Sequence, residues 1–488
     1  MAPAKKIQIS QVAFDAVVKE NVEEFGMDMD EALEDAVKTF KLQGVDLSGI
    51  ITDGGGGATL ESHPIVEAIQ RIRNAVASVT GEDLATSEEL VQFCNRPQTG
   101  AVNLSSAAEA VISDSLQSLR QSCLEEKGKN APIAERNEGV EVVLAAVRAL
   151  TKSAGPPLAY ALAAITSVLT DNRRERFIRC NGPQILLEVL SSESASPDVV
   201  GEAANALAKS ALQNEDVKDL YMHLKVYEVL VQQLQKYQSN SSVIDGVSTA
   251  LRSLVTADDD RIAASRTFQN GMLIAKSGAI DTLLETAKLQ GKHDPTLGPL
   301  CLAIKDLAVN DEICKSMAEK GGLNLVTWIL ETASREGSNR LLARTACILL
   351  IQLAGSDANK DAFVALKGLD MLVNLVSTFS SDPSIIQEAL TAMAVITLRS
   401  PSNASQAVNS GAVDITAEMM ETHASEANLQ RQACQLIRNL AVRNPENRPI
   451  ILEKGLEKLI RKAKATHIGC RDAASAALRD LGFDDYNK

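Results

Sequence analysis

The stretch IRNLAVRNPENRPIILEKGLEKLI, residues 437–460, contains one complete junction between helices. It starts with apolar residues at helical spacing, continues through a turn with Asn444 and Pro445, and reaches Gly455 just before a second amphipathic segment. Glycine readily adopts the left-handed backbone that joins one helix to the next. The stretch therefore predicts a helix, a turn and further helix. A unit of this kind cannot bury its apolar face alone, so we expect several units to stack.

Glycines in the same setting recur along the chain at a nearly constant spacing. Each opens an apolar segment, and the successive spacings are 43, 96, 44, 46, 43 and 44 residues between Gly139, Gly182, Gly278, Gly322, Gly368, Gly411 and Gly455. The interval of 96 residues holds two periods, and its middle position near Leu224 and Lys225 lacks the glycine. A period of about 45 residues is typical of helical repeats that stack side by side.

A second register lies sixteen residues before five of these glycines, inside apolar helical segments. Its positions are occupied by Thr166, Asp306, Gln352, Val395 and Asn439. The matching residue before Gly278 is Ser253, but the distance there is 25 residues, so nine extra residues lie in the loop DDDRIAASRTFQN at 258–270. A shared internal distance with one local insertion indicates tandem duplication of a helical unit.

The composition agrees with stacked helices and excludes several classes of protein. Of the 488 residues, 45% are hydrophobic but only 3% are aromatic, so Leu, Ile, Val and Ala must build the core. No apolar run reaches the roughly 18 residues of a membrane helix, and no apolar core follows Lys5 and Lys6 to make a secretory signal. The net charge of −14 argues against sequence-independent nucleic-acid binding. We expect a monomer in the cytoplasm, with a further share in the nucleus, that binds neither membranes nor nucleic acid.

No arrangement of residues indicates catalysis, a metal or a cofactor. The eight cysteines never come closer together than 13 residues, so we interpret most of them as small core residues instead of zinc ligands. The glycine run at 54–57 follows no strand and precedes no GK[ST], which predicts a flexible joint instead of a phosphate loop. We therefore expect no enzyme and no cofactor. A composite site between repeats is the alternative, because it would leave no linear motif.

The first hundred residues differ from the rest in charge, with 17 Asp and Glu against 8 Lys and Arg. Apolar stripes predict two helices there, and residues 28–30 offer an N-cap for the second. The stripes are Phe14, Val17, Val18 and Val22, followed by Leu33, Ala36, Val37 and Phe40. We predict an acidic hairpin with a Gly-rich joint over 1–60, degenerate repeats over 61–138 and the repeat array with a capping helix over 139–488. The acidic surface is either the solvated face of a docking hairpin or a recognition element for a basic partner.

Several segments resemble one known family. They are QVAFDAVVKENVEEFGMDMDEALEDAVKTFKLQGVDLSGI (11–50), RQACQLIRNLAV (431–442) and DAASAALRDLG (472–482), which are similar to the armadillo repeat-containing protein 6 family. The resemblance implies an all-α fold, namely a right-handed armadillo-type α-solenoid of about eight to nine repeats with an amino-terminal helical hairpin. It also implies an insertion after an Asp-rich turn, here Asp258 to Arg261. Because the following AASRTFQN contains no His, metal binding or pH sensing by that loop has no support.

Stacked armadillo units commonly receive an extended peptide along their third helices, where Asn side chains hold the peptide backbone. Nuclear-import adaptors place a Trp four residues before each Asn, but the corresponding residues here are Leu162, Thr249, Leu302, Ile348, Thr391 and Gln435. The candidate groove residues are Ser253, Asp306, Asn310, Gln352, Gln435, Asn439 and Arg443. The sequence thus predicts a non-catalytic scaffold that binds a protein or extended peptide. The alternative is a transport or chaperone adaptor that carries a basic cargo between cytosol and nucleus.

Residues 440–471 form a locally basic segment, with eight Lys and Arg against three Glu. The acidic amino terminus and this segment are either complementary surfaces of one molecule or two separate surfaces for partners. Unrelated solvated faces are a further interpretation.

Overall fold

The chain is almost entirely helical in a computed structural model, which describes residues 7–9, 11–47, 50, 52, 63–96, 105–128, 130–151, 155–170, 174–261, 266–291 and 294–487. These residues belong to two compact units. The first unit comprises Met1–Gln233 and Ala257–Ser265, and the second comprises Leu234–Thr256 and Arg266–Lys488. The glycine run at 54–57, predicted to be a joint, lies outside the described residues.

The amino-terminal hairpin of the first unit has a small core of its own. Its elements are β1 (Ile7–Gln8), α1 (Gln11–Glu23), α2 (Met29–Leu42) and β2 (Val45–Asp46), with β1 and β2 paired in parallel. The two predicted apolar stripes meet in this core, where the ring centroids of Phe14 and Phe40 lie 5.8 Å apart. Asp28 is the N-cap of α2 and accepts a hydrogen bond from the amide of Glu31 at 2.8 Å. The predicted hairpin is confirmed.

The rest of the first unit is built from successive groups of helices. They are α3 (Pro64–Thr80), α4 (Ser87–Asn95), α5 (Ser106–Gly128), α6 (Ala131–Arg136), α7 (Gly139–Leu150), α8 (Pro156–Val168), α9 (Glu175–Arg179), α10 (Gly182–Leu190), α11 (Pro197–Ala211), α12 (Glu215–His223) and α13 (Val226–Lys236). Helices α5, α8 and α11 pack side by side. The boundary with the second unit falls inside α13.

The second unit begins with the end of α13 and continues with sixteen more helices in the described residues. They are α14 (Ser241–Val255), α15 (Thr267–Ile274), α16 (Ile280–Leu289), α17 (Leu297–Leu307), α18 (Asp311–Glu319), α19 (Gly322–Glu336), α20 (Arg340–Leu353), α21 (Asp357–Ala365), α22 (Gly368–Thr378), α23 (Pro383–Thr397), α24 (Pro401–Asn409), α25 (Ala412–Thr422), α26 (Ala427–Ala441), α27 (Asn447–Glu453), α28 (Leu456–Thr466) and α29 (Arg471–Leu481). A π-helical turn (Ala275–Ala279) precedes α16, and a 3₁₀ turn (Ile468–Cys470) precedes α29.

Helices of the second unit pack in rows that follow the repeat. The third helices form one row, in which each of α14, α17, α20, α23 and α26 packs against the next, ending at α29. The second helices α16, α19, α22, α25 and α28 form another row. Buried Leu, Ile, Val and Ala side chains fill the space between the rows, for example Leu349, Leu350 and Leu353 on α20. In chain order, the described helices from α6 to α29 form eight successive groups of three, as the all-α solenoid prediction expects.

Two different constraints explain the recurring glycines. Gly411 has φ of +89°, a left-handed backbone conformation that residues with a Cβ adopt only at a cost in free energy. At the equivalent junction before α22, Lys367 takes the left-handed conformation instead, and a Cβ on Gly368 would overlap the ring of Phe363. The position predicted to lack its glycine has the same geometry, because Lys225 joins α12 to α13 with φ of +52°. Each of these three junctions therefore has a left-handed residue, whether or not that residue is Gly.

Candidate protein-binding groove

The third helices of the second unit leave one side open to solvent, and we call it the third-helix face. Helix α26 shows it most clearly, since α23 and α29 cover its two flanks and other helices of the last two repeats lie behind it. Its open side carries Arg431, Gln435, Arg438 and Val442 at helical spacing. On α20 the corresponding side chains are Leu341, Arg344, Ile348 and Gln352. The face therefore mixes charged, amide and apolar groups.

Polar contacts between neighbouring third helices occur at each interface of this row, and we call them the cross-helix contacts. Ion pairs alternate with bonds from an amide side chain to a backbone carbonyl. In chain order they are Arg252 Nε to Asp306 Oδ2 at 2.8 Å, Gln352 Nε2 to Ala308 O at 2.7 Å, Arg344 Nη2 to Glu388 Oε1 at 3.2 Å, Asn439 Nδ2 to Ala394 O at 2.7 Å, and Arg438 Nε to Asp480 Oδ2 at 3.1 Å. These contacts tie each third helix to the next.

The structure places three of the predicted groove residues in cross-helix contacts, namely Asp306, Gln352 and Asn439. Ser253 uses its hydroxyl within its own helix, where Oγ donates to the carbonyl of Ala250 at 2.7 Å. These side chains already have partners inside the protein. That they also contact a ligand stays a prediction.

Asn310 lies beyond the end of α17 and serves as the N-cap of α18. Its Oδ1 accepts a hydrogen bond from the amide of Ile313 at 2.8 Å, and its Nδ2 lies 3.0 Å from Sδ of Met272. A capping role explains why Asn is used there. A role in ligand binding stays a prediction for this residue too.

Gln435 and Arg443 differ from the other candidates because their side chains are available. Gln435 is half-buried on α26, and its amide forms no hydrogen bond with any residue that the structure describes. Arg443 is exposed just after α26 and has no ion-pair partner in the described ranges. Arg431, one turn before Gln435, is likewise exposed and unpaired within those ranges. These three residues bring free donors, and one free amide acceptor, to the end of the third-helix face.

A second set of asparagines, none of which is among the predicted groove residues, repeats through the first helices. The four side chains are buried, and each Nδ2 donates to a carbonyl near the end of the preceding third helix. The bonds are Asn270 to Leu254 O at 3.0 Å, Asn359 to Leu353 O at 2.8 Å, Asn403 to Ile396 O at 3.3 Å and Asn447 to Leu440 O at 2.8 Å. The last three residues are spaced by 44, so a search for recurring polar residues in first helices would have found them.

The Asp-rich turn belongs to the first unit and closes over the start of α12. Asp259 Oδ2 accepts a hydrogen bond from the amide of Glu215 at 3.0 Å, and Arg261 donates to both of its carboxylate oxygens at 2.8 Å. The Arg261 guanidinium holds the pKa of Asp259 well below its usual range. Asp258 binds Lys218, whose side chain is completely buried and also lies 2.9 Å from Glu215 Oε1. The turn thus anchors the start of the insertion, and 262–265 lie outside the described residues.

The remaining candidate chemistry has a structural explanation. All eight cysteines are buried free thiols, which confirms their interpretation as core residues. Burial raises the pKa of Cys123 and Cys301 to about 12. Among the described residues, no three His, Cys, Asp or Glu side chains are close enough together to hold a metal ion. None of the helices in the described ranges has the length and apolar character needed to cross a membrane.

Comparison with known proteins agrees with this architecture. A solved structure reported for a phosphorylation switch in the interaction between cadherin and beta-catenin is similar in fold, with a TM-score of 0.58 and 17% sequence identity. The similarity covers 86% of this chain and 78% of that one.

Sequence relatives are similar over most of the chain. "Armadillo repeat-containing protein 6" of Homo sapiens is 27% identical over 406 residues, which are 81% of this chain and 75% of the relative. "Armadillo repeat-containing protein 6 homolog" of Drosophila melanogaster is 26% identical over 404 residues, which are 83% of this chain and 80% of the relative. A family model described as ARMC6 matches residues 100–485, and one for the armadillo repeat-containing protein 6 N-terminal domain matches residues 6–63. The chain therefore belongs to the armadillo repeat-containing protein 6 family.

Proposed function

We propose that this protein is a non-catalytic scaffold that binds another protein, or an extended segment of one, along the third-helix face of the second unit. The supporting observation is the row of six third helices from α14 to α29, held together by the cross-helix contacts. A rigid row of this kind presents side chains at regular intervals, and a preorganised surface loses little conformational entropy on binding.

The character of the face supports a protein ligand. Half-buried apolar side chains such as Leu302 and Ile348 alternate with polar groups along it. Amides such as Gln435 can donate to and accept from a peptide backbone at once. The structure of similar fold described above concerns an interaction between two proteins, which is consistent with this use of the architecture.

Site-specific photocrosslinking tests the proposal without any assumption about the partner. A benzophenone amino acid is introduced at Thr391 on the third-helix face, and in a matched variant at Glu418, an exposed residue of the second helix α25. After irradiation in cells, crosslinked proteins are identified by mass spectrometry. We expect specific adducts from position 391 and none from position 418. Adducts from position 418 alone would place the binding surface on the outer helices and contradict the proposal.

Affinity capture with the variant Asn439→Ala/Arg443→Glu provides an independent check. The substitutions remove one cross-helix contact and reverse one free charge at the end of the face. We expect partners that the wild type captures to be depleted with the variant. If the variant captured the same partners in the same amounts as the wild type, the last repeats would not contribute to partner binding.

A second candidate function is a transport or chaperone adaptor for a basic cargo, present in cytoplasm and nucleus, and one surface favours it. The hairpin is strongly acidic and also exposes Phe25 and Met29, of which 66% and 47% are accessible. Exposed apolar groups amid carboxylates suit a basic amphipathic ligand. Titration of a Lys-rich peptide at two ionic strengths tests this function, with weakening by salt expected. Absence of binding, or exclusion of the protein from the nucleus on imaging, would count against it.

A further inference from the structure

Positive charge is concentrated at one end of the third-helix face. Helices α14 and α17 are balanced, with Arg252 and Lys305 against Asp245 and Asp306. Helices α20 and α23 are nearly balanced, since Arg340 pairs with Asp382 and Arg344 with Glu388. Arg399 follows α23 and adds one positive charge. Helices α26 and α29 with the following turn residue Arg443 are different. They carry the five arginines 431, 438, 443, 471 and 479 against three acidic residues, Glu426 just before α26 and Asp472 and Asp480 on α29.

Most of the charge in this basic end is not neutralised within the protein. Arg438 and Arg479 share a single carboxylate, that of Asp480, at 3.1 Å and 2.8 Å. Arg431, Arg443 and Arg471 are exposed and make no ion pair with any described residue. A cluster in which cations outnumber carboxylates attracts anionic ligands and repels cationic ones.

Two of the unpaired arginines lie near the starts of the neighbouring helices α26 and α29. The thiol of Cys470 donates to the carbonyl of Ala427 at 3.2 Å, which brings the start of α29 against the start of α26. Arg471 is the residue after Cys470, and Arg431 is one turn into α26. The charge of Arg431 also acts on Cys470, because it opposes the rise in the pKa of that thiol that burial causes. Arg431 and Arg471 therefore lie near the same end of the two packed helices.

The middle of the basic end offers hydrogen bonds suited to a peptide backbone. Gln435 lies between Arg431 and Arg438 on the open side of α26, and its amide is unused by the described residues. An amide of this kind can bind both N–H and C=O of an extended chain. Single-stranded nucleic acid is less suited, because its binding sites add aromatic side chains that stack on bases. Neither α26 nor α29 contains Phe, Tyr or Trp.

We propose that the basic end, formed by the open sides of α26 and α29, binds an extended acidic segment of a partner protein. Gln435 bonds the backbone of that segment, and Arg431 and Arg471 bind its Asp or Glu side chains. This inference rests on the proposed function and adds the chemistry of the ligand. It also separates two surfaces of opposite preference, because a basic cargo suits the acidic hairpin and not this end.

A peptide array tests the inference on the full-length protein. Peptides of about ten residues, which extend to about 33 Å, are synthesised with Glu, Gln or Lys at the same positions, so that only their charge differs. Binding of the fluorescently labelled wild type is compared with that of Arg431→Glu/Arg471→Glu. The matched control is Lys458→Glu/Lys462→Glu, which makes the same charge change at exposed positions of the outer helix α28.

We expect the Glu peptides to bind more tightly than the Gln and Lys peptides. Their affinity should fall as the salt concentration increases. The Arg431/Arg471 variant should lose roughly tenfold or more in affinity, and the α28 control about twofold or less, because only the former removes direct charge-assisted bonds. Preference for Gln or Lys peptides, equal losses in both variants, or competition by single-stranded DNA that abolishes peptide binding would overturn the inference. Crosslinking from position 391 does not depend on the charge of the ligand. The proposed scaffold function would therefore keep its own test even if the peptide array showed no preference for acidic peptides, so the two proposals can fail separately.

Discussion

Asn439 lies 2.7 Å from the carbonyl oxygen of Ala394 on the neighbouring third helix, and Gln352 makes the same contact with Ala308 at the same distance. In an armadillo groove these amides are candidates for holding a ligand's backbone. Here each has already joined two third helices through its NH₂ group. The side-chain amide therefore contributes first to the stability of the array, and only its remaining atoms are available for other contacts.

Replacement of Asn439 by Ala is expected to lower the free energy of unfolding by about 1 kcal/mol, the usual net contribution of one hydrogen bond. Thermal and urea denaturation measure the change. Gln435→Ala is the matched control on the same helix, because the Gln435 amide has no partner among the described residues. We expect that control to change stability by only a few tenths of a kcal/mol. Equal destabilisation by both substitutions would show that the contact with Ala394 contributes nothing.

The regular part of the fold was predictable because every junction between first and second helices needs a left-handed residue. The spacing of Gly411 and Gly455 shows that requirement directly. The same spacing also predicts the junction at Lys225, where the glycine is missing but the backbone is again left-handed. The acidic hairpin was predictable for a related reason, since the apolar stripes ending at Val22 and Phe40 have helical spacing.

The roles of the candidate site residues were not predictable in the same way. Spacing shows that Gln352 and Asn439 share a face, but it does not show whether a carbonyl one repeat away already occupies them. That depends on the packing distance between helices. The same limit applies to Asn403, because its period is visible in the sequence but its burial is not. The boundary between the two compact units, inside α13, also has no signal in composition or spacing.

The buried asparagines of the first helices should contribute more to the free energy of unfolding than Asn439 on the third helix α26. Asn403 is 2% exposed, and its amide donates to both Ile396 O and Asp361 Oδ1. Asn403→Ala leaves a buried carbonyl without its partner, so we expect a loss of about 1–3 kcal/mol in the free energy of unfolding. Asn409→Ala, at the exposed end of the same helix, is the control and should be nearly neutral. A loss below that of Asn439→Ala would contradict this ranking.

Lys225→Gly is expected to stabilise the protein, in contrast to most substitutions. Lys225 is held at φ of +52°, and the left-handed conformation costs a residue with a Cβ about 1 kcal/mol that glycine avoids. Its ion pair with Glu228 is exposed on both sides and contributes little. We expect an increase of up to about 1 kcal/mol, measured as a higher midpoint of thermal unfolding. Lys462→Gly in the interior of α28 is the contrast, with a loss of about 1 kcal/mol expected from helix propensity. A loss at both positions would show that the strain at Lys225 is not significant.

The Asp-rich turn should make part of the stability depend on pH. Arg261 and the amide of Glu215 lower the pKa of Asp259 in the folded state, so the charged carboxylate favours folding. That contribution is complete above the ordinary pKa of 3.8 and is lost as the pH falls from there through the lower folded-state value.

At neutral pH, Asp259→Asn should cost about 2 kcal/mol, since bonds to a charged acceptor are lost. Scanning calorimetry of the wild type and the variant should show a constant difference in midpoint at neutral and mildly acidic pH, and a narrowing difference below the ordinary pKa. Asp260→Asn, at the exposed neighbouring residue, should follow the wild type throughout. If the difference for Asp259→Asn instead widened as the pH fell, the carboxylate would not be the group that holds the turn on α12.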